Sequence, residues 1–517
     1  MRDRMRRFLL GLFCVAAIEV AAQNPSVDVL HYAIDVTLPR SGGEISASAE
    51  LTIAPRTAPL ESVVLDFGAL TIDRVSVEGK DAAWTRDGEH LTIAAARATR
   101  DPFRLRIAYH GKPADGLVLQ QNKHGHFGVF ADNWPNRAHQ WFPAIDHPSD
   151  KATVEFRVTA PEAFDVVANG TLVESASLQN GSKRWHWSES TPIPVHCMVI
   201  GATQFAIVRA GHDEGVELSY YLYPSDRDNG LKQFGRVEQM LDFYSDVVGS
   251  YPYDKLAIVE SSTRFGGMEN ASAIFLDEKR IDGVESLEGL VAHEIAHQWF
   301  GDAVSQREWH DLWLSEGFAT YFGALFFERA NGSDTMRRLM RENRDDYLKD
   351  PAIATRPIYD PAVTDLTKLL NALSYDKAAW VLHMLRGVIG DDAFFAGIRD
   401  FYAAHRHGNA STAELRVIME RHAKQPLEWF FQQWIYGVGH PVFTTKWTWG
   451  GGKLAVDVVQ TQPGTVFRTP AVLEVRDSAG AHRENVVIDE RNERFELDAE
   501  VQPTEVVLDP EEWILRQ

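Results

Sequence analysis

The sequence runs to 517 residues, 44% of them apolar and 24% charged, a composition that folds in water at a length that exceeds one hydrophobic core. Lysine and arginine total 52 against 73 aspartates and glutamates, a formal charge of −21, which argues against nucleic acid or an anionic membrane surface as a partner.

The chain opens as an export signal would. Arg2, Arg4, Arg6 and Arg7 precede an apolar run from Phe8 to Ile18, and the small residues Ala21 and Ala22 follow. Cleavage after Ala22 is expected, with delivery to the periplasm or the extracellular space. The run is broken at Glu19 and is shorter than the roughly 20 residues a membrane span needs, so no stable span is expected once the signal is removed; an uncleaved anchor is the alternative. Cys14 lies inside this segment, which leaves Cys197 alone in the mature chain and excludes an intramolecular disulfide.

From residue 23 to about 208 apolar residues recur at every second position, as in Tyr32, Ile34, Val36 and Leu38, or Val154, Phe156 and Val158. That period predicts strands with one face on a core, and Ser41-Gly42-Gly43, Asn169-Gly170 and Asn180-Gly181 supply the turns. Between 209 and 438 the spacing becomes helical over 231–248, 286–300, 312–330 and 366–389, with Gly301, Gly332 and Gly390 placed as stops. From 439 to 517 alternation returns, in Leu454, Val456 and Val458 for example, and predicts a small β-domain.

The chemistry concentrates in the helical part. Leu290 to Trp299 contains His-Glu-x-x-His, which on a helix sets His293 and His297 one turn apart on one face. Zinc takes neutral imidazole nitrogen, and a catalytic site needs a third protein ligand with one position left open. Glu316, in Leu314-Ser-Glu-Gly-Phe318 on the next predicted helix, can supply it if the two helices pack antiparallel. Burying two histidines and an acid on an otherwise apolar helix costs several kcal/mol on rough scales unless a partner offsets it, and one zinc ion per chain is such a partner. Glu294 points about 100° away from His293 around the helix and is free to serve as a base. His310, Asp311 and Asp302 are candidates to orient a ligand imidazole, with the choice among them open. His124 and His126 have no acid or cysteine at metal spacing and read as a loop.

Three further segments accompany that motif. Phe265-Gly-Gly-Met-Glu-Asn270 precedes it; Trp141 to Thr153 contains Phe142-Pro143, Asp146, Pro148 and Lys151-Ala-Thr153; Ser374-Tyr-Asp-Lys-Ala-Ala-Trp380 follows it. In their chain order, with the zinc motif among them, they resemble the gluzincin aminopeptidases of peptidase family M1, the family of aminopeptidase N. The resemblance implies an amino-terminal β-sandwich, a thermolysin-like and mainly α catalytic domain with a small sheet, and a small carboxy-terminal β-sandwich. It implies hydrolysis of the first peptide bond of peptides with a free amino terminus. Gly266, Gly267, Met268, Glu269 and Asn270 would contact substrate, with Glu269 anchoring an ammonium that is largely charged at neutral pH. Glu294 would act as general base, and Tyr375 would stabilise the oxyanion.

Two departures from the family pattern stand out. A glutamine that grips the substrate amino group in many relatives is replaced by the stretch Val129 to Asn136, where Asp132, Asn133 or Trp134 is expected to shape the pocket. The large helical domain that covers the cleft in many relatives has no counterpart before Gln517, which leads to the expectation of a more open site. A zinc endopeptidase or dual-function hydrolase of the same fold, and a non-catalytic scaffold, are the competing functions. Glu269 argues against the first, and the joint presence of ligands, base and tyrosine argues against the second.

Overall fold

The structure is a computed structural model that describes residues 26–211, 215–284 and 287–517; the expected export signal at 1–22 lies outside them. Alternating burial builds the first unit. Its largest sheet has eight strands in the order Thr171–Ser177, Ser182–Pro194, Lys151–Pro161, Val27–Thr37, Ile45–Pro55, Phe103–Gly111, Thr71–Val77, Lys80–Asp81. Val27–Thr37 lies parallel to Lys151–Pro161, with His31 opposite Thr153, and antiparallel to Ile45–Pro55. A register shift between Val29 and His31 resets its alternation, so Val29 and Tyr32 both face the core. A three-stranded sheet (Leu60–Asp66, His90–Arg97, Trp84–Asp87) shares that core, where Phe67 meets Tyr109 edge-on at 5.0 Å.

A mixed sheet of five strands carries the chain into the helical part: Ala206–Gly211, Glu217–Leu222, Lys255–Ser261, Ala273–Asp277 and, at the edge, Gly267–Met268. The expected boundary at 208/209 falls inside the first of these. Every residue of Lys255–Ser261 is buried, the signature of a strand covered on both faces. The edge strand Gly267–Met268 runs antiparallel to Ala273–Asp277, with Met268 opposite Phe275.

Helix Glu288–His297, here called the histidine helix, packs on helix Trp313–Asn331, the glutamate helix. Gly332 ends the second helix and Gly390 ends Ala378–Ile389, both with positive φ. The stretch 366–389, expected as one helix, is broken: a short turn at Leu366–Leu369 precedes a π-turn at Leu373–Lys377, which opens into Ala378–Ile389. Likewise 231–248 divides into Arg227–Gln233 and Val237–Val247.

The last unit is a pair of three-stranded sheets around Leu454, Val456, Val458, Leu473 and Ile488. The chain end returns to the helices. Trp513 stacks on His383 at 4.4 Å, and Leu515 is fully buried in the main core. No helix among the described residues is long and apolar enough to cross a membrane.

Candidate metal centre

His293 and His297 lie where the i, i+4 spacing puts them, with their Nε2 atoms 3.0 Å apart. Antiparallel packing brings in Glu316, whose Oε2 stands 3.3 Å from each Nε2. Four ligands held tetrahedrally at about 2.0–2.1 Å from zinc are about 3.3–3.4 Å from one another, so this trio fits that ion and leaves a position open. The donor set, two imidazoles and a carboxylate, is one zinc accepts. Two lone pairs and a carboxylate oxygen this close repel one another without a cation between them.

Local contacts fix these ligands. The Nδ1–H of His297 donates to the carbonyl of Phe300 at 3.0 Å, which leaves the Nε2 lone pair for the ion. Ser315 Oγ lies 3.0 Å from the same Nδ1, and Thr320 Oγ1 lies 3.5 Å from Nδ1 of His293. Among the residues expected to orient an imidazole, none does so. His310 donates to the carbonyl of Val363, Asp311 accepts from Thr412, and Asp302 accepts from Gln298 and Cys197. Sequence proximity misled there, because these side chains leave the backbone away from the ligand face. Ser315 and Thr320 flank Glu316 on the glutamate helix, and Thr320, at i+4 from Glu316, shares its face; that spacing was the available signal.

The base candidate Glu294 crosses to the edge strand. Its Oε1 lies 2.1 Å from where a Cβ on Gly267 would stand. A side chain at 267 would therefore have to displace the carboxyl. One carboxylate oxygen each from Glu269 and Glu294 and a nitrogen of His297 all fall within 4.8 Å of one another. Burial first, and then the neighbouring carboxylates, push the Glu294 carboxyl well above its ordinary range, and burial raises that of Glu269. Burial alone would raise Glu316 too, but His297 and His293 hold it down at about 2. Such crowding favours any cation that enters.

Gln298, unremarked in the sequence, holds the Glu269 loop to the histidine helix. Fully buried, it donates from Nε2 to the Glu269 carbonyl at 2.5 Å and accepts at Oε1 from the Ser272 amide at 2.8 Å. The Asn169-Gly170 turn braces the same loop, since Asn169 Nδ2 donates to the Ala271 carbonyl.

Tyr375 comes from the π-turn, a local irregularity frequent at functional sites. Its ring lies 6.0 Å from that of His293 and nearly parallel to it. Close packing brings it there: a Cβ on Gly317 would stand 2.5 Å from Cβ of Ala378, so the two helices meet only because Gly317 has no side chain. Burial, with Glu316 and Glu269 nearby, keeps the phenol far above its ordinary range, and so it stays a proton donor.

His293, His297, Glu316, Glu269, Glu294 and Tyr375 line one cavity of about 560 Å³, shared with Trp134, Phe265, Gly266, Met268, Arg280, Leu370 and Asp376. Of the stretch expected to shape the pocket, only Trp134 reaches it, packed edge-on against Phe265 at 5.9 Å. Asp132 is turned to Arg137 and Arg264, and Asn133 bonds Met198 and Trp141. Asn270, expected beside substrate, is instead buried outside the cavity lining, where its carbonyl accepts from the amide of Ala273; the turn into the next strand carries it inward. His124 sits in a loop and pairs with Asp226 at 2.6 Å.

Residues 233–434 match the Peptidase family M1 domain, and residues 28–196 match the Peptidase M1 N-terminal domain. Glutamyl aminopeptidase of Bos taurus is 28% identical over 330 residues, covering 60% of this chain and 34% of that one. Probable aminopeptidase 2 of Sulfurisphaera tokodaii is 26% identical over 439 residues, covering 80% and 55%. The chain thus spans about a third to a half of the length of these curated relatives. A solved M1 zinc metallopeptidase from Deinococcus radiodurans superposes with a TM-score of 0.71 at 26% identity, over 80% of this chain and 95% of that one. Legionella pneumophila aminopeptidase A, solved with aspartic acid, shares the fold with a TM-score of 0.83 at 17% identity, over 95% and 60%. With both domain matches in chain order, and a histidine–glutamate trio of zinc geometry between the edge strand and the π-turn, the chain belongs to peptidase family M1.

Proposed function

We propose that the chain is a zinc-dependent aminopeptidase, with His293, His297 and Glu316 as ligands. The observation that carries this reading is the Glu269 carboxyl, buried beside Glu294 and His297 at the edge strand. A carboxylate fixed there pairs with the ammonium of a free amino terminus and places the first peptide bond next to the base; an internal bond offers no such charge.

Zinc, when bound, is a Lewis acid that polarises a carbonyl and acidifies water. Glu294 takes the proton as water attacks and delivers it to the departing nitrogen. Tyr375 donates its O–H to the oxygen on which negative charge develops. Gly266, Gly267 and Met268 present backbone to an extended substrate along the sheet edge, and Trp134 and Phe265 form an apolar wall. The arginine-led segment at 1–22 supports export to the periplasm or the extracellular space.

Single-residue chromogenic amides test the activity. Hydrolysis that is abolished by a chelator and restored by one equivalent of zinc per chain is expected; a chain that retains zinc and cleaves none of a full panel would favour the scaffold reading.

A further inference from the structure

Among the described residues lining the cavity, Arg280 is the sole lysine or arginine, in the company of Glu269, Glu294, Glu316 and Asp376. Its guanidinium lies over the edge strand, with Nε and Nη2 each 3.2 Å from the position a Cβ on Gly266 would take. The side chain is exposed and makes no ion pair with the described carboxylates. In a chain of net charge −21, an arginine at a cavity rim that pairs with no described acid is available to a ligand.

The backbone beneath it is fixed from several directions. Gln233 donates to the Arg280 carbonyl at 3.1 Å, Lys123 donates to the carbonyls of Glu278 and Ile281, and Asp277 caps the amide of Lys279. The stem of the side chain therefore starts from a rigid turn, which lowers the entropy lost when its end binds.

The order of groups along the edge gives the ligand. Glu269 comes first, then Gly267 against Glu294, then Gly266 beneath Arg280. A substrate with its ammonium on Glu269 and its first carbonyl at the metal ligands continues past Gly267 toward Gly266. Glu269 and Gly266 are three positions apart, about 10 Å of extended backbone. An extended tripeptide also spans about 10 Å between its ammonium and its carboxylate.

Resting on the aminopeptidase reading, we propose that Arg280 binds the free terminal carboxylate of a tripeptide whose ammonium is held by Glu269. The site then measures both ends of its substrate, and tripeptides with a free carboxyl end are the preferred class. The planar fork of the guanidinium accepts both oxygens of a carboxylate and offsets the repulsion from the acids deeper in the cavity. An acidic side chain on the third residue would present the same group, so the test separates the two sources.

The experiment compares kcat/KM for trialanine as the free acid, trialanine amide, and an alanyl-alanyl-aspartyl amide, with alanine anilide as a control that has no third residue. The wild-type enzyme is expected to favour the free acid over trialanine amide by about fivefold to tenfold, through KM rather than kcat. That ratio should fall to about one in Arg280→Gln and be partly retained in Arg280→Lys. A wild-type ratio of one with the anilide still cleaved, or a ratio unchanged in Arg280→Gln, overturns the proposal and leaves the aminopeptidase reading standing. An aspartyl amide as good as the free acid overturns the terminal assignment. Failure to cleave the anilide and every other single-residue amide of the panel as well removes the aminopeptidase reading, and this proposal with it.

Discussion

Glu294 occupies the space that any side chain at Gly267 would need, its Oε1 lying 2.1 Å from the missing Cβ. The edge strand and the Glu294 carboxyl are thus fitted to each other. Gly267→Ala is expected to displace Glu294 and reduce kcat by on the order of 10²-fold, since small misplacements of a reacting group are that costly. Zinc content should be unchanged, because the side chain that a Cβ at 267 would meet is Glu294 and not one of the ligands His293, His297 and Glu316. Wild-type kcat in this variant would show that Glu294 has room to move.

The proposed base and ligand roles can be separated by experiment. Glu294→Gln should retain one zinc per chain and lose nearly all turnover, whereas Glu316→Gln should lose metal and activity together. Elemental analysis beside steady-state kinetics checks this. Equal metal loss in both variants would contradict the separation drawn from the 3.3 Å contacts of Glu316 to both histidines.

Tyr375→Phe removes one hydroxyl and leaves the π-turn and its ring packing on His293 in place. A loss of about 10²–10³ in kcat is expected, typical for an oxyanion donor, with KM changed little. A variant within threefold of wild type would assign the tyrosine to packing alone.

Ser315→Ala deletes a hydroxyl 3.0 Å from the His297 ring while the Phe300 carbonyl remains as acceptor. Competition with a chelator should reveal zinc affinity reduced by about tenfold, the lower end for groups that orient metal-bound imidazoles. Unchanged affinity would leave ligand orientation to the backbone.

How far sequence led to this site depends on which physical signal each part leaves. The pairing of His293 with His297 follows from helix period, and the first β-unit follows from alternation. The bulge between Val29 and His31 leaves no such trace, nor does the five-stranded sheet, because Lys255–Ser261 is buried throughout and so lacks alternation. The π-turn at Leu373–Lys377 was hidden inside a stretch whose helical spacing reads as one helix. Gln298 was in view beside His297, but nothing in the order of residues says that its amide reaches the Glu269 carbonyl. The three candidates near the ligands, His310, Asp311 and Asp302, failed for the same reason: closeness along the chain does not set direction.

In the proposed function Glu269 is the group that holds a free amino terminus. The measurement that tests it most directly is the ratio of kcat/KM for a peptide with a free amino terminus to that for its acetylated form, in wild type and in Glu269→Ala. Wild type should cleave the free peptide at least 10²-fold better, and the ratio should collapse in the variant chiefly through a weaker KM for the free peptide. Acetylated peptide cleaved as well as free by the wild-type enzyme would contradict the account.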